Sequence, residues 1–188
     1  MAKPDPDLKQ LGARLRRLRN ERGLSLGEVA KATDISASFL SHVENGKSDI
    51  TFMRLDRLVA LYGGSLMDLA APHPANERIV RASEQERLAS AEEHFAIYLL
   101  APDTKRSMMP ILVVYEPGGG SVEPFRTESD EFIHVLHGAV EIAFEDGEVI
   151  ELAKGDSVYL IEPHRSRRYR NASRGQTISL SVLSPPAL

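Results

Sequence analysis

Cysteine is absent from all 188 residues. That excludes disulfides, thiol nucleophiles and thiolate metal sites, and it suits a cytoplasmic protein, the location expected here. No apolar run approaches the roughly 20 residues that a bilayer-crossing helix needs, so no membrane segment is expected. The opening MAKPDPD lacks the apolar core of a secretory leader. An excess of positive charge is also missing: the formal net charge is −4. The charge is unevenly divided, however. Residues 1–72 hold 11 Lys and Arg against 9 Asp and Glu, a balance of +2, and the remainder holds 12 against 18, a balance of −6. Only the first part can be drawn to phosphate, and only through local clusters. A hydrophobic fraction of 42% and a charged fraction of 27% are those of an ordinary globular protein, long enough for one large or two small domains.

What is present begins with helical periodicity. Leu8, Leu11, Leu15 and Leu18 share one face of a helix from Leu8 to about Arg22, while Arg14, Arg16, Arg17, Arg19 and Arg22 occupy the other. From Leu24 to Lys47, LSLGEVAKATDISASFLSHVENGK reads as two short helices at a sharp angle. Ser25 caps the first, which carries Leu26, Val29 and Ala30 as an apolar stripe. Ser36 caps the second, which turns Phe39, Leu40 and Val43 inward. Thr33, Asp34 and Ile35 reverse the chain between them, and Asn45-Gly46 ends the second helix with Lys47 just beyond. A fourth helix runs from Thr51 to Tyr62 with Phe52, Leu55, Leu58 and Val59 inward and stops at Gly63-Gly64. Residues 65–68 open a short fifth with a capping-box arrangement. The expected organisation is a multi-domain α and β chain: a five-helix bundle over residues 1–70, a linker over 71–78 stiffened by Pro72 and Pro74, and a β domain over 79–188.

This order of motifs resembles the phage-repressor and xenobiotic-response-element helix-turn-helix family of transcription regulators, from about Leu11 to Leu69. The resemblance rests on Leu-Ser-x-x-Glu-Val-Ala at 24–30, Ile35-Ser36-x-Ser38, Leu40-Ser41 and Glu44-Asn45-Gly46-Lys47. Asp34 stands where the family usually has Gly, and Asp tolerates the positive φ of that turn. Leu26 stands where many members carry a phosphate-contacting Gln, so that contact is lost. The resemblance implies that Arg19 pairs with Glu44 and ties the first helix to the recognition helix. It places Ala37, Ser38, Ser41 and His42 at the major groove and Asn45 and Lys47 on phosphate, with Ser36 and Arg17 completing the DNA-binding set. The partner it implies is double-stranded DNA carrying an inverted repeat, bound by a homodimer.

Beyond the linker the period becomes two. Residues 79–80 are a short strand candidate, and 83–94 read as either a helix or a loop. Strands are expected over 95–100, 111–115, 131–136, 140–144, 149–152, 157–161, 167–171 and 177–183, separated by glycine-bearing turns. This is an all-β sandwich or barrel, and it resembles the cupin barrel, or jelly roll. Glu131 with Gly138 matches the end of the first cupin motif; Gly155-Asp156-Ser157, Pro163 and Asn171 match the second. Metal-binding cupins carry His-x-His before the Glu and a further His four residues before the Asn. Here Pro124-Phe125-Arg126-Thr127 and Arg167 stand in those places, so only Glu131 of the four ligands remains. No metal and no cofactor are expected. His134, His137 and His164 are the residues left for a substitute site, but strand alternation puts His134 on the face opposite Glu131, and all three also fit surface or packing roles.

Arg126 and Arg167 are expected to project into the barrel with Glu131 between them and Tyr169 completing an effector-binding set. Two guanidiniums against one carboxylate leave a positive charge over, so the expected effector is a small anion. The alternative is that the register slips by one, one arginine points outward and the rest is a structural salt bridge. The function expected is a DNA-binding transcription regulator whose cupin domain senses a small molecule, and not an enzyme. Two other readings stand beside it. One is a cupin metalloenzyme, since the same domain order resembles iron-dependent epoxidases of hydroxyalkylphosphonates; that chemistry needs the histidines missing here. The other is a DNA-binding protein whose cupin only dimerises.

Overall fold

The computed structural model describes residues 6–64, 69, 79–85, 87–90, 93–101, 107–161 and 164–186. The chain divides into two compact units, Met1–Ala70 and Ala71–Leu188. The first contains α1 (Pro6–Glu21), α2 (Leu26–Thr33), α3 (Ala37–Glu44) and α4 (Phe52–Leu61). Four helices, not five, stand among the described residues. The fifth expected over 65–68 lies outside them, as does the linker over 71–78.

Each short helix has a defined start. Ser25 forms a full capping box with Glu28: its hydroxyl accepts from the Glu28 amide at 3.2 Å, and the Glu28 carboxylate accepts from the Ser25 amide at 2.8 Å. Those hydrogen bonds from Ser25 hold the Glu28 carboxyl below its ordinary range. Asp34 adopts the left-handed conformation, with φ 57°, and Ile35 is buried in the angle it creates. Gly46 carries a positive φ of 64°, and a Cβ there would come within 2.8 Å of the Lys9 backbone. Gly12 brings α1 onto α3 so closely that a Cβ would sit 2.3 Å from the Val43 carbonyl. The core between the helices is Leu15, Val29, Leu40, Val43, Phe52, Leu55 and Leu58, all buried.

The second unit is β-sheet-rich and cupin-like. A 3-10 turn (Ala82–Glu84) precedes nine strands: β1 (Arg87–Ser90), β2 (Phe95–Leu99), β3 (Met109–Tyr115), β4 (Asp130–His137), β5 (Ala139–Phe144), β6 (Val149–Ala153), β7 (Ser157–Leu160), β8 (Arg167–Asn171) and β9 (Thr177–Ser184). They form a six-stranded sheet of order β1-β2-β3-β9-β4-β7 and a three-stranded sheet of order β6-β5-β8. All named pairs are antiparallel. The eight strands expected from alternation fall on β2 to β9. Residues 79–80 are not a strand, and the stretch read as helix or loop supplies the 3-10 turn and β1 instead.

Strict alternation of buried and half-buried positions along β3 and β9 fixes which side chains face inward. Ser181 sits on that inner face, paired with Ile111 on one side and Ile133 on the other. A small residue between two large ones leaves unfilled space, and the interior cavity opens there.

Candidate nucleic-acid interface and interior cavity

Helix α3 begins at Ser36, whose hydroxyl accepts from the Phe39 amide at 3.2 Å and lies 3.2 Å from the Ser38 hydroxyl. Leu40, Val43 and Glu44 are buried against the other helices, which leaves Ser38 and His42 exposed and Ala37 and Ser41 half-buried on the outward face. The buried Glu44 is 5% exposed and takes a two-pronged contact from Arg19, Nε to Oε1 at 2.6 Å and Nη2 to Oε2 at 2.8 Å. Arg19 also donates to the Leu24 carbonyl at 2.7 Å, so one guanidinium joins α1, the start of α2 and the end of α3. The Glu44 hydrogen bond holds Arg19 above its ordinary pKa, and burial, reinforced by the Glu44 charge, pushes the Tyr62 phenol up to about 12.

Arg16 extends this network: it donates to Glu44 at 3.3 Å and to the Asn45 side-chain oxygen at 3.2 Å. In the sequence Arg16 is one of five arginines opposite the leucine face, and its three-residue spacing from Arg19 is the signal that puts both on one side of α1. The Asn45 amide nitrogen is turned back to the Ser41 carbonyl at 2.6 Å, so the side chain expected on phosphate is engaged within the protein. Lys47 is exposed just past the helix. Arg17 lies on α1, exposed, with Glu21 3.6 Å away.

In the second unit, a cavity of about 60 Å³ lies between the sheets. Arg167, on β8, is 1% exposed and donates to Glu131 Oε2 on β4 at 3.0 Å. The Tyr169 hydroxyl donates to the same oxygen at 2.5 Å and accepts from Arg167 Nε. Burial, with the Glu131 charge beside it, pushes the Tyr169 phenol well above its ordinary range, so it serves as a neutral donor. Phe125 meets the Tyr169 ring edge-on at 6.1 Å.

The structure brings Glu131, Arg167 and Tyr169 together and leaves Arg126 out. The Arg126 side chain is 73% exposed, with Glu145 at 3.7 Å. Its neighbours explain this. Phe125 and Arg167 exchange backbone hydrogen bonds at 2.7 and 3.0 Å, and Phe125 and Thr127 both line the cavity, so alternation turns residue 126 outward. The register is one residue from that expected. The cavity wall carries one guanidinium and one carboxylate, and the charge count that pointed to an anionic effector no longer holds.

The residues do not fit a metal ion. Phe125 and Thr127 occupy the inward positions where the first two histidines of a metal-binding cupin are expected, and a guanidinium on the remaining carboxylate repels a cation. His134 meets the Ser157 hydroxyl at 2.8 Å, and His137 and His164 are exposed. Among the described residues no three His, Cys, Asp or Glu converge on a point where an ion would sit. Asn171 is a structural knot, donating to the Glu116 carbonyl at 2.9 Å and accepting from Thr177 at 2.7 Å.

Residues 10–71 match the helix-turn-helix domain family and residues 111–183 the cupin domain family. The chain thus joins a helix-turn-helix domain to a C-terminal cupin domain, the make-up of a DNA-binding transcription regulator. Among curated proteins it is similar to the HTH-type transcriptional regulator PuuR of Escherichia coli (strain K12), 24% identical over 176 residues that cover 93% of this chain and 94% of that one. The crystal structure of an HTH_3 family transcriptional regulator from Vibrio cholerae shares the fold, with a TM-score of 0.70 and 22% identity over 95% of this chain and 97% of that one. Hydroxypropylphosphonic acid epoxidase from S. wedmorenis aligns over 93% of this chain and 97% of its own with a TM-score of 0.45 and 18% identity, a likeness too slight to bear on function.

Proposed function

We propose that this regulator reads an inverted-repeat operator as a homodimer through α3, and that a small molecule entering the cupin cavity alters that binding. In this reading residues 1–70 are the DNA reader, 71–78 the linker and 79–188 the sensor and dimer-former of a cytoplasmic protein without catalytic activity. The observation that carries it is the clamp on Glu44. Two guanidiniums fix the end of α3 to α1 while its outward face keeps Ser38 and His42 exposed, the arrangement a recognition helix needs to enter the major groove. Ser38 and His42 offer hydrogen bonds to base edges, and Ala37 suits a thymine methyl. Ser36, Asn45, Lys47 and Arg17 would set register on the backbone; Asn45 does so by holding Arg16 at the helix end. Non-enzymatic function is supported by the plug of Arg167 on Glu131, which stands where a catalytic metal would be held. Selection of binding sites from a random duplex library by the full-length protein tests the reading. An inverted repeat with half-sites about one helical turn, roughly 10 bp, apart is expected. Binding without sequence preference would overturn it.

A further inference from the structure

We infer that the cupin cavity takes a small uncharged molecule that donates a hydrogen bond to Glu131 Oε1 and rests an apolar body on the surrounding strands. This inference rests on the reading of the cavity as the effector site and names the class of molecule it accepts. Three observations lead to it.

The first is an acceptor left open. Glu131 is 7% exposed and lines the cavity, yet both of its donors, Arg167 Nη2 and the Tyr169 hydroxyl, converge on Oε2. Among the described residues nothing donates to Oε1. That oxygen is not sealed off from the cavity that Glu131 lines, so an N–H or O–H brought by a ligand can reach it and form a charge-assisted hydrogen bond.

The second is charge. Arg167 and Glu131 are the charged side chains on the cavity wall, and in contact at 3.0 Å they sum to zero. An anion approaching Arg167 meets the open Glu131 oxygen. A cation approaching that oxygen meets a carboxylate already neutralised by Arg167. Either ion would shed its water and gain no net counter-charge, whereas an uncharged donor loses little on entry.

The third is size and lining. The volume of about 60 Å³ gives room for about four to six water-sized groups, at roughly 10–15 Å³ each. Beyond the polar cluster the wall is mostly apolar, with Phe95, Ile97, Ile111, Val113, Phe125 and Leu183 beside Tyr115 and the smaller Ser121, Thr127 and Ser181, and its apolar part rewards a short alkyl or similarly compact body.

Propanamide, propionate and propionamidinium have nearly the same shape and carry no charge, a negative charge and a positive charge. Ligand-observed and protein-observed NMR titrations of the full-length protein with each will rank them. Propanamide is expected to bind, perturbing the Tyr169 and Phe125 ring resonances, with both ions at least about tenfold weaker. Ser181→Leu, which fills the cavity, should abolish propanamide binding. Glu131→Gln, which leaves Arg167 uncompensated, should move the preference towards propionate. Circular dichroism checks that both variants are folded; if either is not, the wild-type order decides. An ion that binds wild-type protein as well as propanamide does, or propanamide binding that survives Ser181→Leu, overturns the inference while leaving the effector-site reading in place. Failure of all three probes to bind removes that reading as well.

Discussion

Arg167 shows how much a single side chain carries in the cupin unit. It is almost wholly buried, and it and the Tyr169 hydroxyl both donate to Glu131 Oε2. Arg167→Ala removes one partner of a buried pair and strands the other, which costs about 3–5 kcal/mol. The exposed Arg126→Ala should change stability by less than about 0.5 kcal/mol. Glu131→Met combined with Arg167→Met removes both charges and should recover most of what either single change loses. Urea midpoints at constant m-value measure all three. An Arg167→Ala protein as stable as Arg126→Ala would mean that the pair is solvated in solution. A loss of effector response in Arg167→Ala therefore has to be separated from a loss of fold.

At the scale of elements, the recognition helix is held from both ends, by the Ser36 cap and by the arginines on Glu44. Ser25→Ala should cost about 1 kcal/mol through the lost capping box, read as a lower denaturation midpoint. His42→Ala should relax specificity at one base position. Lys47→Ala should weaken every site alike and reduce the salt slope by about 1. If both lower affinity equally across sequences, His42 is not reading a base. These elements were largely legible beforehand because period and cap coincide: leucines at helical spacing, Ser25 and Ser36 before them, Asp34 and Gly46 where φ turns positive. Strands β2 to β9 were legible for the same reason, a period of two broken by glycine turns. What escaped lacked such a signal. Arg87–Ser90 is four residues with no alternating run of its own. Arg126 is expected inward only because it stands among the cupin metal-ligand positions; counting back in twos from Glu131 reaches Thr127 and Phe125, the residues that line the cavity, and the isolated bridge from Phe125 to Arg167 fixes that phase. The reach of Arg16 to Asn45 depends on how α1 packs on α3, and Gly12, which permits that approach, looks in sequence like any other helix-weakening glycine.

For the whole molecule the decisive quantity is how two modest interactions combine. The helical part carries a balance of only +2 over residues 1–72, from 11 basic and 9 acidic residues, so non-specific attraction to DNA is slight. A single recognition helix covers only a few base pairs. Linking two readers turns the second docking event into an intramolecular one and can raise affinity by about 10²–10⁴ without a new contact. In the proposed reading the cupin unit is the dimer-former, because a second copy would protect its open sheet edges, β1 and β7. A fragment ending near Ala71, where the compact units divide, should thus be monomeric and bind a half-site with unchanged base preference. Its affinity for the full inverted repeat should fall by a factor within that same range of about 10²–10⁴. Inserting 5 bp, roughly half a turn, between half-sites should cost the full-length protein much of its advantage and the fragment nothing, because only the dimer must face both half-sites from one side of the duplex. Sedimentation equilibrium and anisotropy titrations on the paired duplexes measure both effects. A fragment that remains dimeric and keeps full affinity would move the dimer contact into the helices.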